Sequence, residues 1–332
     1  MTDDIGKSFS LDKKDRDILF ILSTDARASY AKIGKLTRLK KETVAFRVKQ
    51  LEEKKIISGY TMLFDFSKLG VRVYKLYLKF KGLAKSGYDS LYDYLTKDRR
   101  VGWVAQGNGS WDMVIGFLTD DVGEFYDFRY AFEQSFHEKI AQCTLAVQIQ
   151  AYFYSRMYLS QEKKQSIRPE LKGYSNKPPE KIDDADKKIL IALGENSRSS
   201  LLEIAKKTEL TQRIVGYRIK NLEQKKIILQ YRATMNLDLI GHIYVKAFIQ
   251  LRDITPEKRR AILAFWNTSA FIVHNVESLG EWEIEPEFEI ESLQEFYRVM
   301  NEFRSRFASN LDRVDSMIIE REHKYRYLFR SS

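Results

Sequence analysis

Two short stretches carry side chains suited to reading a nucleic acid. The first presents Lys40, Lys41, Glu42, Thr43, Phe46, Arg47 and Lys49. The second, 171 positions later, presents Thr211, Gln212, Arg213, Ile214, Tyr217, Arg218 and Lys220. On a helix these positions make up the first turn and the solvent face. Arg and Lys can pair with guanine edges, Gln with adenine, and all of the polar ones with phosphate oxygens. A merely solvated basic face is the alternative. Arg47 and Arg218 lie beside the apolar stripe rather than opposite it, so an ion pair with an acid of the first helix competes there with a phosphate contact.

The charge distribution favours the nucleic-acid reading. Residues 11–64 hold 13 basic and 7 acidic side chains, and residues 182–235 hold 11 and 7. Residues 236–328 hold 12 basic and 16 acidic ones. Positive charge is thus concentrated where a phosphate backbone would lie, within a chain of net charge +10.

Other chemistry is sparse. His137, His242, His274 and His323 show no metal-ligand spacing, and no Ser/His/Asp set, P-loop or zinc motif is present. The expectation is no metal and no cofactor. Gly107-Asn108-Gly109 reads as a turn between strands without phosphate-binding spacing. From Glu281 to Glu291 every odd position is Glu, while the even ones are Trp282, Ile284, Pro286, Phe288 and Ile290. Such a row is most simply solvated or paired with neighbours such as Lys246. It could also face Lys75 and Lys79 across a sheet-on-sheet contact, or hold a cation. Pro286 should interrupt ladder pairing.

These residues sit in a duplicated chain. Residues 11–70 laid over 182–241 give 22 identities in 60 positions without a gap. The same offset brings Lys75 onto Lys246, Trp111 onto Trp282 and Glu124-Phe125-Tyr126 onto Glu295-Phe296-Tyr297. The join, 159–181, carries Gly173, Pro178 and Pro179 and reads as a linker.

In each copy the first module (11–64 and 182–235) reads as three helices and a strand. Asp12 and Ser29 are N-cap types. Ile18, Leu19 and Leu22 form one apolar face, and Ile33 and Leu36 should face inward. A helix over about 41–54 buries Val44, Val48 and Leu51. Residues 57–64 read as a strand, the expected wing of a winged helix-turn-helix. The second module (71–158 and 242–329) reads as strands at 71–81, 101–106, 111–118 and 143–151, with helices at 86–97 and 122–139. Phe125, Phe128, Phe132 and Phe136 give the last helix its buried stripe. That order, βαββαβ, is ferredoxin-like and leaves one sheet face open to pair with a second sheet. The fold class is therefore α+β, two winged helix-turn-helix domains alternating with two ferredoxin-like domains.

The single cysteine, Cys143, excludes an internal disulfide and fits a reducing compartment. The N-terminus has no apolar signal core, and no apolar run approaches a membrane span. A cytoplasmic location is expected.

The pattern Leu11-Asp12-x-x-Asp15-x-x-Ile18-Leu19, then Asp25-Ala26-Arg27-x-Ser29, Thr43-Val44-x-x-Arg47-x-x-x-Leu51-Glu52 and Ile57-x-Gly59-Tyr60 resembles the Lrp/AsnC family of transcription regulators. The second copy repeats it from Ile182 to Tyr231, as in a tandem-duplicated, archaeal-type form. The resemblance implies sequence-specific binding of double-stranded DNA, no enzymatic activity, and α+β domains that pair, here as an intramolecular pseudo-dimer open to further oligomerisation. Recognition would fall to Lys40, Lys41, Thr43, Arg47, Lys49, Thr211, Gln212, Arg213, Arg218 and Lys220. It also implies a possible amino-acid effector near Gly107, Gly109, Trp111 and Asp112. Glycine is usual in the family where Lys55 and Lys226 stand, and Ser or Thr where Lys40 stands. An architectural DNA-binding protein and a siroheme-decarboxylase-like enzyme, with His274-Asn275 in a suggestive place, are the alternatives on this architecture.

Overall fold

The computed structural model describes residues 9–82, 84–160, 170–173 and 178–325. The first helical module is α1 (Lys13–Thr24), α2 (Tyr30–Thr37) and α3 (Lys41–Glu53), followed by β1 (Ile57–Phe64). Local chemistry sets its starts: Asp12 and Ser29 accept from the backbone of Asp15 and Lys32 and satisfy donors that the first turn leaves free. Ile18, Leu19, Leu22, Ile33, Val44, Val48 and Leu51 close the core. Each such side chain contributes about 1.5–3 kcal/mol of burial. Leu36 does not join them; it is 60% exposed, and Thr37, one turn after Ile33, takes the inward place.

The second module begins with β2 (Arg72–Phe80), α4 (Lys85–Lys97), β3 (Val101–Gly109) and β4 (Met113–Thr119). It ends with α5 (Val122–Phe136) and β5 (Ile140–Tyr154), the latter longer at both ends than its sequence signal. A short strand, β6 (Glu170–Gly173), pairs with the end of β5, so part of the expected linker is sheet. Residues 161–169 and 174–177 of that linker lie outside the described residues. The second copy repeats the order with α6 (Asp184–Glu195), α7 (Leu201–Thr208), α8 (Gln212–Gln224) and β7 (Ile228–Met235). It continues with β8 (Ile243–Leu251), α9 (Pro256–Thr268), β9 (Ile272–Gly280), β10 (Ile284–Ile290), α10 (Leu293–Phe307) and β11 (Leu311–Tyr325).

Two joins bind the copies. First, β1 and β7 pair antiparallel with each other as a two-stranded ribbon, Tyr60 opposite Ala233 and Met62 opposite Tyr231. The strand expected after the third helix is present at Ile57–Phe64, and its partner is the equivalent strand of the other copy. Each packs across the join, Met62 and Phe64 on the second helical core and Ala233 on the first. A lone strand leaves its backbone groups unpaired, and the duplicated strand supplies the complement.

Second, the strand order β2-β4-β3-β11-β8-β10-β9-β5, with β5 also pairing β2, makes a ring of eight strands. The two expected four-stranded sheets do face each other, but they are also hydrogen-bonded at both edges. The long strands make this possible: β11 pairs β8 through its first half and β3 through its second, and β5 does the same with β2 and β9. The four helices α4, α5, α9 and α10 cover the outside, and the interior holds Tyr77, Trp103, Trp111, Phe248 and Trp282. Pro286 lies opposite Asn275 in β10, and the β10–β8 register resumes at Glu287.

Candidate nucleic-acid interface

Helices α3 and α8 bury one stripe each, Val44, Val48 and Leu51 against Val215, Ile219 and Leu222. The opposite side is therefore turned to solvent. Lys40, Lys41, Lys49, Thr211, Gln212, Arg213 and Lys220 are exposed, and Thr43 is half-buried. Lys40, Lys41, Arg213 and Lys220 make no ion pair among the described residues; Lys49 lies 3.6 Å from Glu53 along its own helix. Two large apolar side chains, Phe46 and Tyr217, stand 64% and 73% exposed at equivalent positions. The exposed aromatic is thus kept at the same place in both copies. The first-turn chemistry also differs. Thr211 accepts from the Ile214 amide, whereas Lys40 makes no side-chain cap.

Arg47 and Arg218 are held inward. Arg47 donates to Asp12 and Asp15 at 2.7 and 2.8 Å, and Arg218 to Asp183 and Asp186 at 2.8 and 2.9 Å. Of the two roles open to them in the sequence, the structure gives the ion pair that ties the third helix of each module to the first.

Sequence reasoning missed the arginines that fix one helical module against the other. Arg27 Nη1 donates to the Ser197 and Ser199 carbonyls at 2.7 and 2.8 Å. Arg198 reciprocates on Ala26 and Ala28. Their guanidiniums lie 5.4 Å from the rings of Tyr231 and Tyr60, whose hydroxyls donate to Glu223 and Glu52. The identity of Arg27 and Arg198 in the repeat was the available signal.

The four residues expected near an effector are engaged otherwise. Gly107 and Gly109 are strand residues opposite Ile319 and Met317 of β11. A Cβ at Gly107 would fall 2.2 Å from the Ile318 carbonyl oxygen, and Gly109 has φ +126°. Both are glycine so that the other copy's backbone can come close. Trp111 is buried, its ring 5.9 Å from that of Trp282. Asp112 accepts from Lys79 Nζ at 2.6 Å and the Phe80 amide at 2.8 Å.

The acidic row divides. Glu285, Glu287 and Glu289 are buried. Glu285 lies 2.8 Å from Lys75 of the first copy and 2.7 Å from Lys246. Glu287 pairs with Lys246 at 2.6 Å, and Glu289 with Arg156 at 2.7 Å. Lys75 thus meets the row across the sheets as one expectation had it, while Lys79 stays with Asp112. Burial works to raise all three carboxyls, but the cations beside them outweigh it and hold them below the ordinary range. Among the described residues no cluster of three or more His, Cys, Asp or Glu could hold a metal ion. No described helix is long and apolar enough to cross a membrane.

Comparison with known proteins agrees with the repeat. The AsnC-type helix-turn-helix domain matches residues 11–52 and again 182–223. The HTH-type transcriptional regulator LrpA of Pyrococcus abyssi is 47% identical over 60 residues, 18% of this chain and 43% of that protein. The chain thus spans less than half the length of that relative. The HTH-type transcriptional regulator FL11 of Pyrococcus abyssi is 31% identical over 120 residues, 36% of this chain and 78% of that protein. In fold, the chain is similar to the siroheme decarboxylase NirDL, with a TM-score of 0.59 and 11% identity over 96% of this chain and 94% of that one.

Proposed function

The chain belongs to the Lrp/AsnC family as a tandem-duplicated member, and from that premise we propose that it is a sequence-specific DNA-binding transcription regulator. The observation that carries the reading is the pair of exposed helix faces on α3 and α8, where Lys40, Lys41, Arg213 and Lys220 make no ion pair among the described residues. Lys40, Lys41 and Lys49, with Lys220, would meet phosphates; Thr43, Thr211, Gln212 and Arg213 would meet base edges. Arg47 and Arg218 would act by holding the helices rather than by touching DNA. One chain then stands in for a pair of single-copy subunits, with two unlike reading heads. The proposed folding units are 11–64, 71–158, 182–235 and 242–329, acting in the cytoplasm. An amino-acid effector would need a place other than Gly107, Gly109, Trp111 and Asp112, which are spent on packing.

We propose no enzymatic activity. A siroheme-decarboxylase-like enzyme shares the fold, but such a role gives no use for two exposed basic helix faces. Selection of bound DNA from a random pool at physiological salt tests the reading. The expected result is enrichment of a site with two dissimilar half-sites. Affinity that follows salt and ignores sequence would replace it with an architectural role. A pigment retained on purification with no DNA enriched would replace it with the enzyme.

A further inference from the structure

A cavity of about 270 Å³ lies where the ring of strands meets the β1–β7 ribbon. The ribbon contributes Ser58, Thr61 and Arg232, and the second copy's strands contribute Tyr244, His274 and Glu287. The second copy's share of the lining is not repeated in the first copy. At the equivalent first-copy positions Tyr244 becomes Val73, His274 becomes Trp103, Glu287 becomes Gly116 and Glu289 becomes Leu118. The same fold therefore closes with apolar residues at these places. Burying ionised groups instead costs stability unless each is paired, and a hydrophobic replacement is commonly neutral or better. The charged lining is not what the fold requires.

The lining also has a definite chemical bias. Its guanidiniums are committed: Arg156 forks onto Glu289 at 2.7 and 2.8 Å, and Arg232 donates to the Ser23 and Tyr154 carbonyls at 3.0 and 2.9 Å. Beside the hydroxyls of Ser58, Thr61 and Thr234, which can donate or accept, the remaining polar groups accept. His274 Nδ1 lies 2.8 Å from Glu287 Oε2, and a carboxylate already receiving Lys246 and Tyr244 can only accept. Nδ1 therefore carries the proton and Nε2 is the bare acceptor, with no hydrogen-bond partner among the described residues. Glu322 at the rim accepts from Trp103 Nε1 at 2.8 Å, and burial, with Glu287 and Glu289 nearby, pushes its carboxyl up to about 7, so that a cation beside it would favour its ionised form. Two aromatic side chains complete the wall, Tyr244 and Phe153, the latter stacked on His274 with centroids 4.7 Å apart.

We propose that this cavity binds a small, positively charged amine, held by Glu322 and His274 against the rings of Phe153 and Tyr244. A bare imidazole acceptor, an acidic side chain at the mouth and aromatic faces are together the chemistry that selects a protonated nitrogen. A site of this volume admits a metabolite of a few heavy atoms.

Isothermal titration calorimetry of the full chain with three probes of one length tests it: 1,4-diaminobutane, 1,4-butanediol and succinate. The expected result is saturable binding of the diamine alone, in one-to-one ratio. Glu322→Gln, a change at the rim that leaves the core intact, should weaken it about tenfold or more. Ser58→Trp, on the ribbon side, should abolish it by filling the mouth. Succinate or diol binding as well as the diamine would overturn the proposal, as would diamine binding indifferent to both variants. Absence of diamine binding at millimolar concentration would overturn it too. The readout uses no DNA, so this inference and the DNA-reading proposal fail separately.

Discussion

Lys75 Nζ lies 2.8 Å from Glu285 Oε2 across the join between the two copies, and both side chains are buried. Lys246 reaches the same carboxylate at 2.7 Å. Glu285 also accepts from Tyr77, Ser278 and Trp282. One carboxylate thus bridges two buried ammonium groups contributed by the two copies, and Glu287 supplies the second negative charge through Lys246.

Glu285→Gln should therefore destabilise the fold by about 3–5 kcal/mol, because it leaves the buried Lys75 ammonium without its counter-charge. A double change, Glu285→Leu with Lys75→Met, removes one charge of each sign, leaves Lys246 with Glu287, and should cost far less. Urea denaturation of the variants separates the two outcomes. Equal losses in the single and double variants would mean that the network's shape matters and its charge balance does not.

Acid should unfold the protein through the same row. Glu285, Glu287 and Glu289 titrate below their ordinary value of 4.5 in the folded chain. Burial opposes this; Lys246 and Lys75 overcome it for Glu285, Lys246 and His274 for Glu287, and Arg156 for Glu289. The folded state then binds fewer protons than the unfolded one at mildly acid pH, so stability falls as pH falls. The contribution is complete above the ordinary carboxylate value and disappears as pH drops through the folded values. Urea midpoints measured from about pH 6 to about pH 3 should decline over the lower part of that range. A flat or rising profile would contradict the assignment.

Lys55 and Lys226 sit just past the third helices with φ of 60° and 57°, a left-handed conformation that glycine adopts without steric cost. Both are exposed. Lys55→Gly and Lys226→Gly should each raise stability by about 0.5–1 kcal/mol after allowing for glycine's greater freedom when unfolded. Lys55→Val should do the opposite. The order Gly above Lys above Val in thermal midpoint is the check.

Much of this was legible locally. Asp12, Ser29 and Thr211 cap helices through bonds to residues three positions on, and Phe125, Phe128, Phe132 and Phe136 repeat at helical spacing, so neighbours in sequence reveal both. The exposed faces of α3 and α8 follow from their buried stripes by the same reasoning. What was not legible depends on partners more than a hundred positions away. Tyr60 pairs with Ala233, so the ribbon could not be told from two wings. Gly107 is glycine because β11 passes close, which a turn-like Gly-Asn-Gly disguises. The Glu row alternates like any solvated strand face. Only closure of the ring, which brings Lys75 of the first copy inside, makes it a buried network.

The unlike first turns of α3 and α8 give the sharpest test of the two-headed reading. Lys41 is exposed, and Gln212 and Arg213 are exposed at the corresponding end of the other helix. A lysine on phosphate contributes charge without sequence information, whereas Arg on guanine or Gln on adenine discriminates by about 1–3 kcal/mol. Lys41→Ala should therefore weaken binding to all sequences alike and lower the salt dependence by about one counterion. Arg213→Ala should cost about 1–3 kcal/mol on the selected site and relax preference in one half-site only. Lys40→Thr separates stability from binding. It restores a cap worth about 1 kcal/mol to the fold while removing a charge from the interface. Its thermal midpoint should rise as its affinity for DNA falls. If Arg213→Ala relaxed both half-sites equally, the two helices would not be reading separate halves, and the pseudo-symmetric arrangement proposed for DNA would be wrong.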